Sequence, residues 1–189
     1  MEILKQRILA EGRNLGRGIL KVDSFLNHQV DPALMMAVGQ HLAEPFKGLG
    51  VTKVLTAEIS GIAPALMTAL VLGVPVIYAR KSKPITMPAE IYRESAPSHT
   101  KGSVVELLVS PEFLSHADTV LIVDDFLATG NTISGLLRLA QQAEARVVGV
   151  AAVIEKAFEG GRVTLEGMGL RVCSAAIIEK MTDHDIIFA

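Results

Sequence analysis

Short apolar runs alternate with segments of helical period along this 189-residue chain, and the alternation limits the fold more than any other feature. The apolar runs lie at 52–57, 74–79, 104–109, 119–124, 147–154 and 170–178. The helical segments lie at 1–11, from Asp31-Pro32 to Gly48, at 62–72 and at 130–143. Strands that alternate with helices form βα units, so this order predicts an α/β fold with a central, mostly parallel sheet flanked by helices. The length fits one domain over 1–189.

Two segments do not follow the alternation. Residues 80–103 contain Pro84, Pro88 and Pro97 together with several charges, and they show no helical period. A loop of this length inside a compact domain is usually functional, and we expect a flexible, β-hairpin-like excursion. Residues 19–27, near the N-terminus, are predicted to form an extended segment.

Charge and composition argue against several classes of function. The formal net charge is -2, which disfavours nucleic acid as the main partner because phosphate backbones require a basic face. No run of 18 apolar residues occurs, and charges interrupt the N-terminal helix, so neither a membrane span nor a signal peptide is expected. The single cysteine, Cys173, cannot form an intrachain disulfide, which favours a cytoplasmic location.

Residues 120–132, VLIVDDFLATGNT, join an apolar strand to two adjacent carboxylates and to a turn that opens a helix. Ligands of α/β sheets bind at the carboxyl ends of strands, where Asp124 and Asp125 are expected. A loop before a helix presents free N–H groups and the positive end of the helix dipole to an anion. The loop residues expected to surround a phosphate are Ala128, Thr129, Gly130, Asn131 and Thr132. Carboxylates beside them suit vicinal hydroxyls, so the segment predicts a ribose phosphate site.

This segment resembles the binding motif for phosphoribosyl pyrophosphate (PRPP) in type I phosphoribosyltransferases. The resemblance implies the type I phosphoribosyltransferase fold, with a flexible lid at 80–103 and a small hood at 1–30 that binds the acceptor base. It also implies that Asp124 and Asp125 hold the ribose hydroxyls and that residues 128–132 hold the 5-phosphate. Mg²⁺ is expected with PRPP from the chemistry of that substrate, although no dedicated metal-ligand cluster is visible.

The same resemblance assigns the pyrophosphate to two short stretches that follow strands. Ser60 and Gly61 come after the run at 52–57 and offer backbone N–H groups. Positive charge follows the run at 74–79 at Arg80, Lys81 and Lys83. Lys81 is predicted to be catalytic, together with Asp124 and Asp125. The reaction displaces pyrophosphate from ribose C1, so it requires positioning and electrostatic stabilisation rather than a protein nucleophile.

Three stretches are similar to the bacterial branch of this family that acts on xanthine. They are LKVDSFLNHQVDP at 20–32, ARKSK at 79–83 and VIEKAF at 153–158. The similarity implies purine salvage by a homodimer that converts xanthine and PRPP to xanthosine 5′-monophosphate. The base contacts that it implies are Leu20, Asn27 and Lys156, and Phe126 lies where its ring can stack on the base or join the core. A lysine favours xanthine because this base carries two carbonyl oxygens and ionises more readily than guanine.

Three other functions stay open at this point. The acceptor base can be hypoxanthine, guanine or adenine, which base competition separates. A non-enzymatic regulator that senses PRPP and binds DNA requires a nucleic-acid-binding module, and only 30 residues precede Asp31. The third alternative is a binding or structural domain that catalyses no reaction. It does not explain why the acidic pair, the phosphate loop and the basic cluster occur together.

Overall fold

The computed structural model describes residues 1–97, 104–182 and 185–189. The helices of this part of the chain are α1 (Glu2–Glu11), α2 (Pro32–Ala43), α3 (Ile62–Leu72), α4 (Asn131–Gln142) and α5 (Gly161–Gly167). The strands are β1 (Arg13–Asn14), β2 (Leu20–Lys21), β3 (Lys53–Ala57), β4 (Val76–Ala79), β5 (Tyr92–Pro97), β6 (Val104–Val109), β7 (Thr119–Leu127), β8 (Arg146–Lys156), β9 (Val172–Met181) and β10 (Ile186–Phe188). Short 3₁₀ turns cover Glu44–Phe46 and Ala157–Glu159, and a π-helical turn covers Asp23–Asn27. None of the described helices is both long and apolar enough to cross a bilayer.

Six strands form the central sheet in the order β10-β9-β8-β7-β3-β4. All neighbours in this sheet are parallel except β10, which pairs antiparallel with β9. The parallel pairs that follow one another in the chain are joined through helices: α3 links β3 to β4, α4 links β7 to β8, and α5 links β8 to β9. The predicted α/β fold with a mostly parallel sheet is confirmed.

Both faces of the sheet are buried against other elements. From β7, Leu121 and Val123 enter a core that contains residues of α1, α2 and α3. Val120 and Ile122 enter a second core, which contains residues of α4, α5 and the β5–β6 pair. Successive side chains of a strand point to opposite faces of its sheet. When both faces are covered, all of these side chains are buried, and the sequence of the strand is an unbroken apolar run. This burial explains the sequence of β7.

The acidic pair lies within a strand, whereas the sequence placed the strand at 119–124 with the pair at its very end. The strand continues to Leu127, since β7 pairs with β8 as far as Leu127 opposite Glu155. Pairing with β8, the next strand along the chain, therefore extends β7 past its apolar run. The carboxylates still lie at the carboxyl end of the strand, four and three residues before the loop residue Ala128.

The prediction of an extended segment over 19–27 was largely wrong. Only Leu20–Lys21 is a strand, and Asp23–Asn27 forms the π-helical turn. Phe25 and Leu26 are adjacent and both buried in the same core. An extended chain points adjacent side chains in opposite directions, so the double burial requires a helical turn.

The excursion after β4 contains an antiparallel pair of strands, as expected for a β-hairpin. β5 pairs with β6 from Tyr92 opposite Val109 to Pro97 opposite Val104. The predicted strand at 104–109 is confirmed, but it belongs to this separate pair and not to the central sheet. Part of the predicted lid, residues 98–103, lies outside the described residues, and the flexibility of the lid stays a prediction.

Candidate active site

The order of strands reverses between β3 and β7. From β3 the chain continues outward to β4, whereas from β7 it continues in the opposite direction to β8 and β9. Connections that leave in opposite directions open a crevice at the carboxyl ends of the two central strands. A cavity of about 590 Å³ lies at this position. The predicted site residues that line it are Leu20, Asn27, Ser60, Gly61, Lys81, Asp124, Asp125, Phe126, Ala128, Thr129, Gly130, Asn131, Thr132 and Lys156.

The two carboxylates of β7 have different surroundings. Asp124 is buried, with 6% of its surface exposed, and its Oδ1 accepts the N–H of Asp125 at 3.0 Å. Burial and the adjacent Asp125 raise the pKa of Asp124 well above its ordinary value, an effect that the hydrogen bond from the Asp125 N–H and the charge of Lys81 partly offset. Asp125 is half-buried, and its Oδ2 accepts a hydrogen bond from Asn27 Nδ2 at 2.6 Å. A hydroxyl donor that enters the crevice therefore meets two acceptors.

The loop after β3 lies against the acidic pair and the segment after β4. At Gly61 a Cβ atom would lie 2.3 Å from Thr56 Oγ1 and 3.0 Å from Asp124 Oδ1, so a side chain has no room there. Glu58 binds the neighbouring segment through two contacts: Arg80 Nε lies 2.8 Å from Oε2, and the Lys81 N–H donates to Oε1 at 2.6 Å. The Glu58–Ile59 peptide bond is cis. Glu58 thus holds together the two stretches that the sequence assigned to pyrophosphate.

The three basic residues that follow β4 do not share one environment. Lys81 lines the cavity, whereas Arg80 and Lys83 do not. The Arg80 guanidinium is paired with Glu58, and Lys83 Nζ donates to the carbonyl oxygen of Ala89 at 3.3 Å. All three residues carry a positive charge, but the sequence did not show that Glu58, which follows β3, would bind Arg80.

The predicted phosphate loop joins β7 to α4 and is supported from behind by α5. The Gly161 N–H donates to the carbonyl oxygen of Ala128 at 3.0 Å. At Gly161 a Cβ atom would lie 2.3 Å from that oxygen and 2.9 Å from Gly130 N. The first N–H groups of α4 have no partner within a helix, so they are available to an anion. Gly161 was not predicted, since its contact with the loop depends on how α5 packs.

Lys156 and Phe126 lie together on the other side of the acidic pair. Lys156 Nζ is 5.4 Å from the centre of the Phe126 ring and 3.4 Å from Glu159 Oε1. Only 6% of Lys156 is exposed, so its charge acts in a poorly hydrated environment. Leu20 is also buried and contributes the hood side of the cavity. The remaining lining residues, which the sequence did not single out as ligands, are Leu15, Ile19, Lys21, Asp23, Ala57, Glu58, Ile59, Ala96, Pro97, Val105, Leu107 and Ile133.

Among the described residues, no group of three or more His, Cys, Asp or Glu side chains could hold a metal ion. Asp124 and Asp125 are adjacent carboxylates in the cavity. Mg²⁺ is commonly bound by one or two carboxylates together with the phosphates of a substrate. The donor set therefore fits an ion that arrives with a phosphorylated ligand.

Comparison with known proteins shows similarity along the chain. The model of the phosphoribosyl transferase domain matches residues 32–163. The xanthine phosphoribosyltransferase of Oceanobacillus iheyensis is 52% identical over 188 residues, which cover 100% of this chain and 97% of that protein. The xanthine phosphoribosyltransferase of Leuconostoc mesenteroides is 48% identical over 188 residues, which cover 100% of both chains.

Solved structures of similar fold are phosphoribosyltransferases. Adenine phosphoribosyltransferase from Rhodothermus marinus superposes with a TM-score of 0.73 at 26% identity, covering 94% of this chain and 100% of that one. The enzyme from Giardia lamblia in complex with 9-deazaadenine gives a TM-score of 0.75 at 22% identity, covering 94% and 98%. The similarity to the second structure establishes the fold alone.

Proposed function

The chain belongs to the phosphoribosyltransferase family, and we propose that it transfers the 5-phosphoribosyl group of PRPP to xanthine in purine salvage. The products are xanthosine 5′-monophosphate and pyrophosphate. One observation carries the proposal: a single cavity contains the acidic pair Asp124 and Asp125, the loop at 128–132 and the cation of Lys156. These are partners for a diol, a phosphate monoester and an electron-rich base.

PRPP is proposed to extend across the carboxyl ends of β7 and β3. Residues 128–132 bind the 5-phosphate through backbone N–H groups and hydroxyls at the N-terminus of α4. Asp124 and Asp125 accept hydrogen bonds from the ribose hydroxyls. The N–H groups of Ser60 and Gly61 hold the pyrophosphate.

Three basic residues are proposed to assist the departure of pyrophosphate. Lys81 faces the cavity and stabilises the negative charge that develops as the bond at C1 breaks. Arg80 acts through Glu58, which holds the Lys81 backbone, and Lys83 adds positive charge to the same segment. Mg²⁺ that is bound to PRPP and contacts Asp124 or Asp125 supplies further charge neutralisation.

The excursion at 80–103 is proposed to close over the reacting sugar. One wall of the cavity is apolar and is formed by the β5–β6 pair. It contains Ala96 and Pro97 of β5 and Val105 and Leu107 of β6. Such a wall excludes water, which otherwise competes with the base for the activated C1.

The base is proposed to bind between the hood and the end of β8. Leu20 packs on its flat face, Phe126 contributes an aromatic ring, and Asn27 donates and accepts at its edge. Lys156 meets a carbonyl oxygen or the anionic form of xanthine, because a poorly hydrated cation gains most from a negative partner. Adenine offers an exocyclic amine, which is a donor and therefore a poor partner for an ammonium group.

The test is to mix the protein with Mg²⁺, PRPP and each of four purines and to detect nucleotide. We expect turnover to be best with xanthine and abolished by Asp125→Ala. The control is Glu179→Ala, which removes an exposed carboxylate of β9 outside the cavity. The assignment of the acidic pair is wrong if Asp125→Ala retains activity, and the choice of base is wrong if xanthine is the poorest acceptor.

A homodimer in the cytoplasm completes the proposal. Exposed apolar side chains cluster in sequence around α3: Leu66 is 52% exposed, Leu70 is 62% exposed and Ile59 is 77% exposed. Leu66 and Leu70 are four residues apart and therefore share a face of the helix. A second copy of the chain is proposed to cover this face, which would also support the pyrophosphate loop, since Ile59 belongs to it.

A further inference from the structure

Asn27 and Asp125 are 98 residues apart in the chain but are joined by a side-chain hydrogen bond. Asn27 Nδ2 donates to Asp125 Oδ2 at 2.6 Å. Both residues line the cavity, Asn27 on the side assigned to the base and Asp125 on the side assigned to the ribose. The contact therefore connects the two halves of the site directly.

Asn27 is held firmly by the turn that it ends. Asp23–Asn27 is the π-helical turn, and its Phe25 and Leu26 are 0% and 1% exposed in the core. The Asn27 N–H also donates to the carbonyl oxygen of Val22 at 3.4 Å. The backbone of Asn27 is thus fixed, and the remaining freedom lies mainly in its side-chain amide.

The carboxylate of Asp125 decides how that amide is oriented. An amide group has two N–H donors on nitrogen and one acceptor oxygen, whereas an ionised carboxylate only accepts. Turning the amide over would bring Oδ1 against Asp125 Oδ2 and replace a charge-assisted hydrogen bond with repulsion. Asn27 therefore keeps Nδ2 on Asp125, and its Oδ1 stays available as an acceptor for an N–H of the base.

The hydrogen bond orients the carboxylate as well. A carboxylate has about four acceptor positions on its two oxygens, so Asn27 on Oδ2 leaves positions for a ribose hydroxyl. A hydroxyl that binds Asp125 restricts the carboxylate further, and the Asn27 amide becomes restricted with it. A base that arrives afterwards loses less conformational entropy in the site.

We propose that the Asn27–Asp125 hydrogen bond couples the base site to the ribose site, so that each ligand strengthens the binding of the other. Asp125 is then a positioning residue for the base, in addition to its proposed contact with ribose. The inference rests on the proposed function, because it uses the assignment of the two halves. Coupling of this kind is reciprocal, and it typically changes an affinity by a factor of about 5 to 150.

The experiment measures xanthine binding by calorimetry with and without saturating ribose 5-phosphate, which has no leaving group and cannot react. We expect ribose 5-phosphate to increase the xanthine affinity of the wild-type enzyme by at least about fivefold. Asn27→Ala and Asn27→Ser lack a group that reaches Asp125, so this ratio should fall to about one. Ribose 5-phosphate binding on its own serves as the test that both variants are folded.

Lys156→Gln is the matched control, because it removes a proposed base contact that does not touch Asp125. It should weaken xanthine binding while keeping the ratio of the two affinities. If Asn27 served only as a base contact, the Asn27 variants would also bind xanthine more weakly while keeping the ratio of the two affinities. That result would refute the coupling. A wild-type enzyme that turns over xanthine and PRPP but shows no effect of ribose 5-phosphate also refutes it. Failure of the proposed function is distinct, since the wild type would then form no nucleotide.

Discussion

Replacing Gly161 with alanine is expected to disable the phosphate loop without altering any residue that lines the cavity. The Gly161 N–H donates to the carbonyl oxygen of Ala128, and a Cβ at this position would lie 2.3 Å from that oxygen. Ordinary van der Waals contact begins at 3.4 Å, so the loop and α5 must separate by about 1 Å. The nearest atoms include backbone of Ala128 and Gly130, which cannot rotate away as the end of a side chain can.

A separation of this size determines the magnitude of the effect. A misplacement of 1 Å in a positioning group costs a factor of about 10² in rate, and overpacking a core costs about 1–3 kcal/mol of unfolding free energy. We therefore expect kcat/KM for PRPP to fall about 10²-fold in Gly161→Ala. Xanthine affinity in the absence of a sugar phosphate should change much less, since the base contacts lie elsewhere in the cavity.

Steady-state kinetics with varied PRPP at saturating xanthine provide the measurement. Gly167→Ala is the control, because Gly167 ends the same helix and, apart from its chain neighbours and the backbone of its own helix, no atom lies within 4 Å of its Cβ position. That variant should be as active as the wild type. Equal kcat/KM for PRPP in Gly161→Ala and wild type would refute the reasoning, and so would an equal loss in both glycine variants.

Three further outcomes are expected. Burial beside Asp125 raises the pKa of Asp124 in the folded protein above its value in the unfolded chain, so the free energy of unfolding decreases as the pH rises from the unfolded value through the folded one. Asp124→Asn should therefore melt at a higher temperature than wild type at pH 7, and the difference should vanish towards pH ~4, which thermal unfolding across that range checks. Lys156→Gln should lower kcat/KM for xanthine by about tenfold or more and for hypoxanthine by less, and equal losses in a competition assay would contradict the charge argument. Leu66→Glu should give a monomer in sedimentation velocity at micromolar concentration, where we expect a wild-type dimer.

Much of the architecture could be predicted because it depends on local signals. Unbroken apolar runs that alternate with helical periods correspond to strands that are buried on both faces of a covered sheet. Asp31 caps α2 by accepting the Leu34 N–H at 3.1 Å, and Pro32 occupies the first helical position, so the start of this helix is a local feature of the sequence. The acidic pair and the phosphate loop are neighbours in sequence, so the chain itself keeps them close.

The remaining features depended on contacts between residues that are far apart in the chain. Glu58 pairs with Arg80, Asn27 donates to Asp125, and Gly161 lies behind Ala128. No local pattern encodes these pairs, because each arises from how separate βα units pack against one another. The sequence alone therefore determined which groups a sugar phosphate can meet, whereas the tertiary structure decided which of those groups face the cavity. The physical reason is that chemical identity is local, while orientation is set by long-range packing.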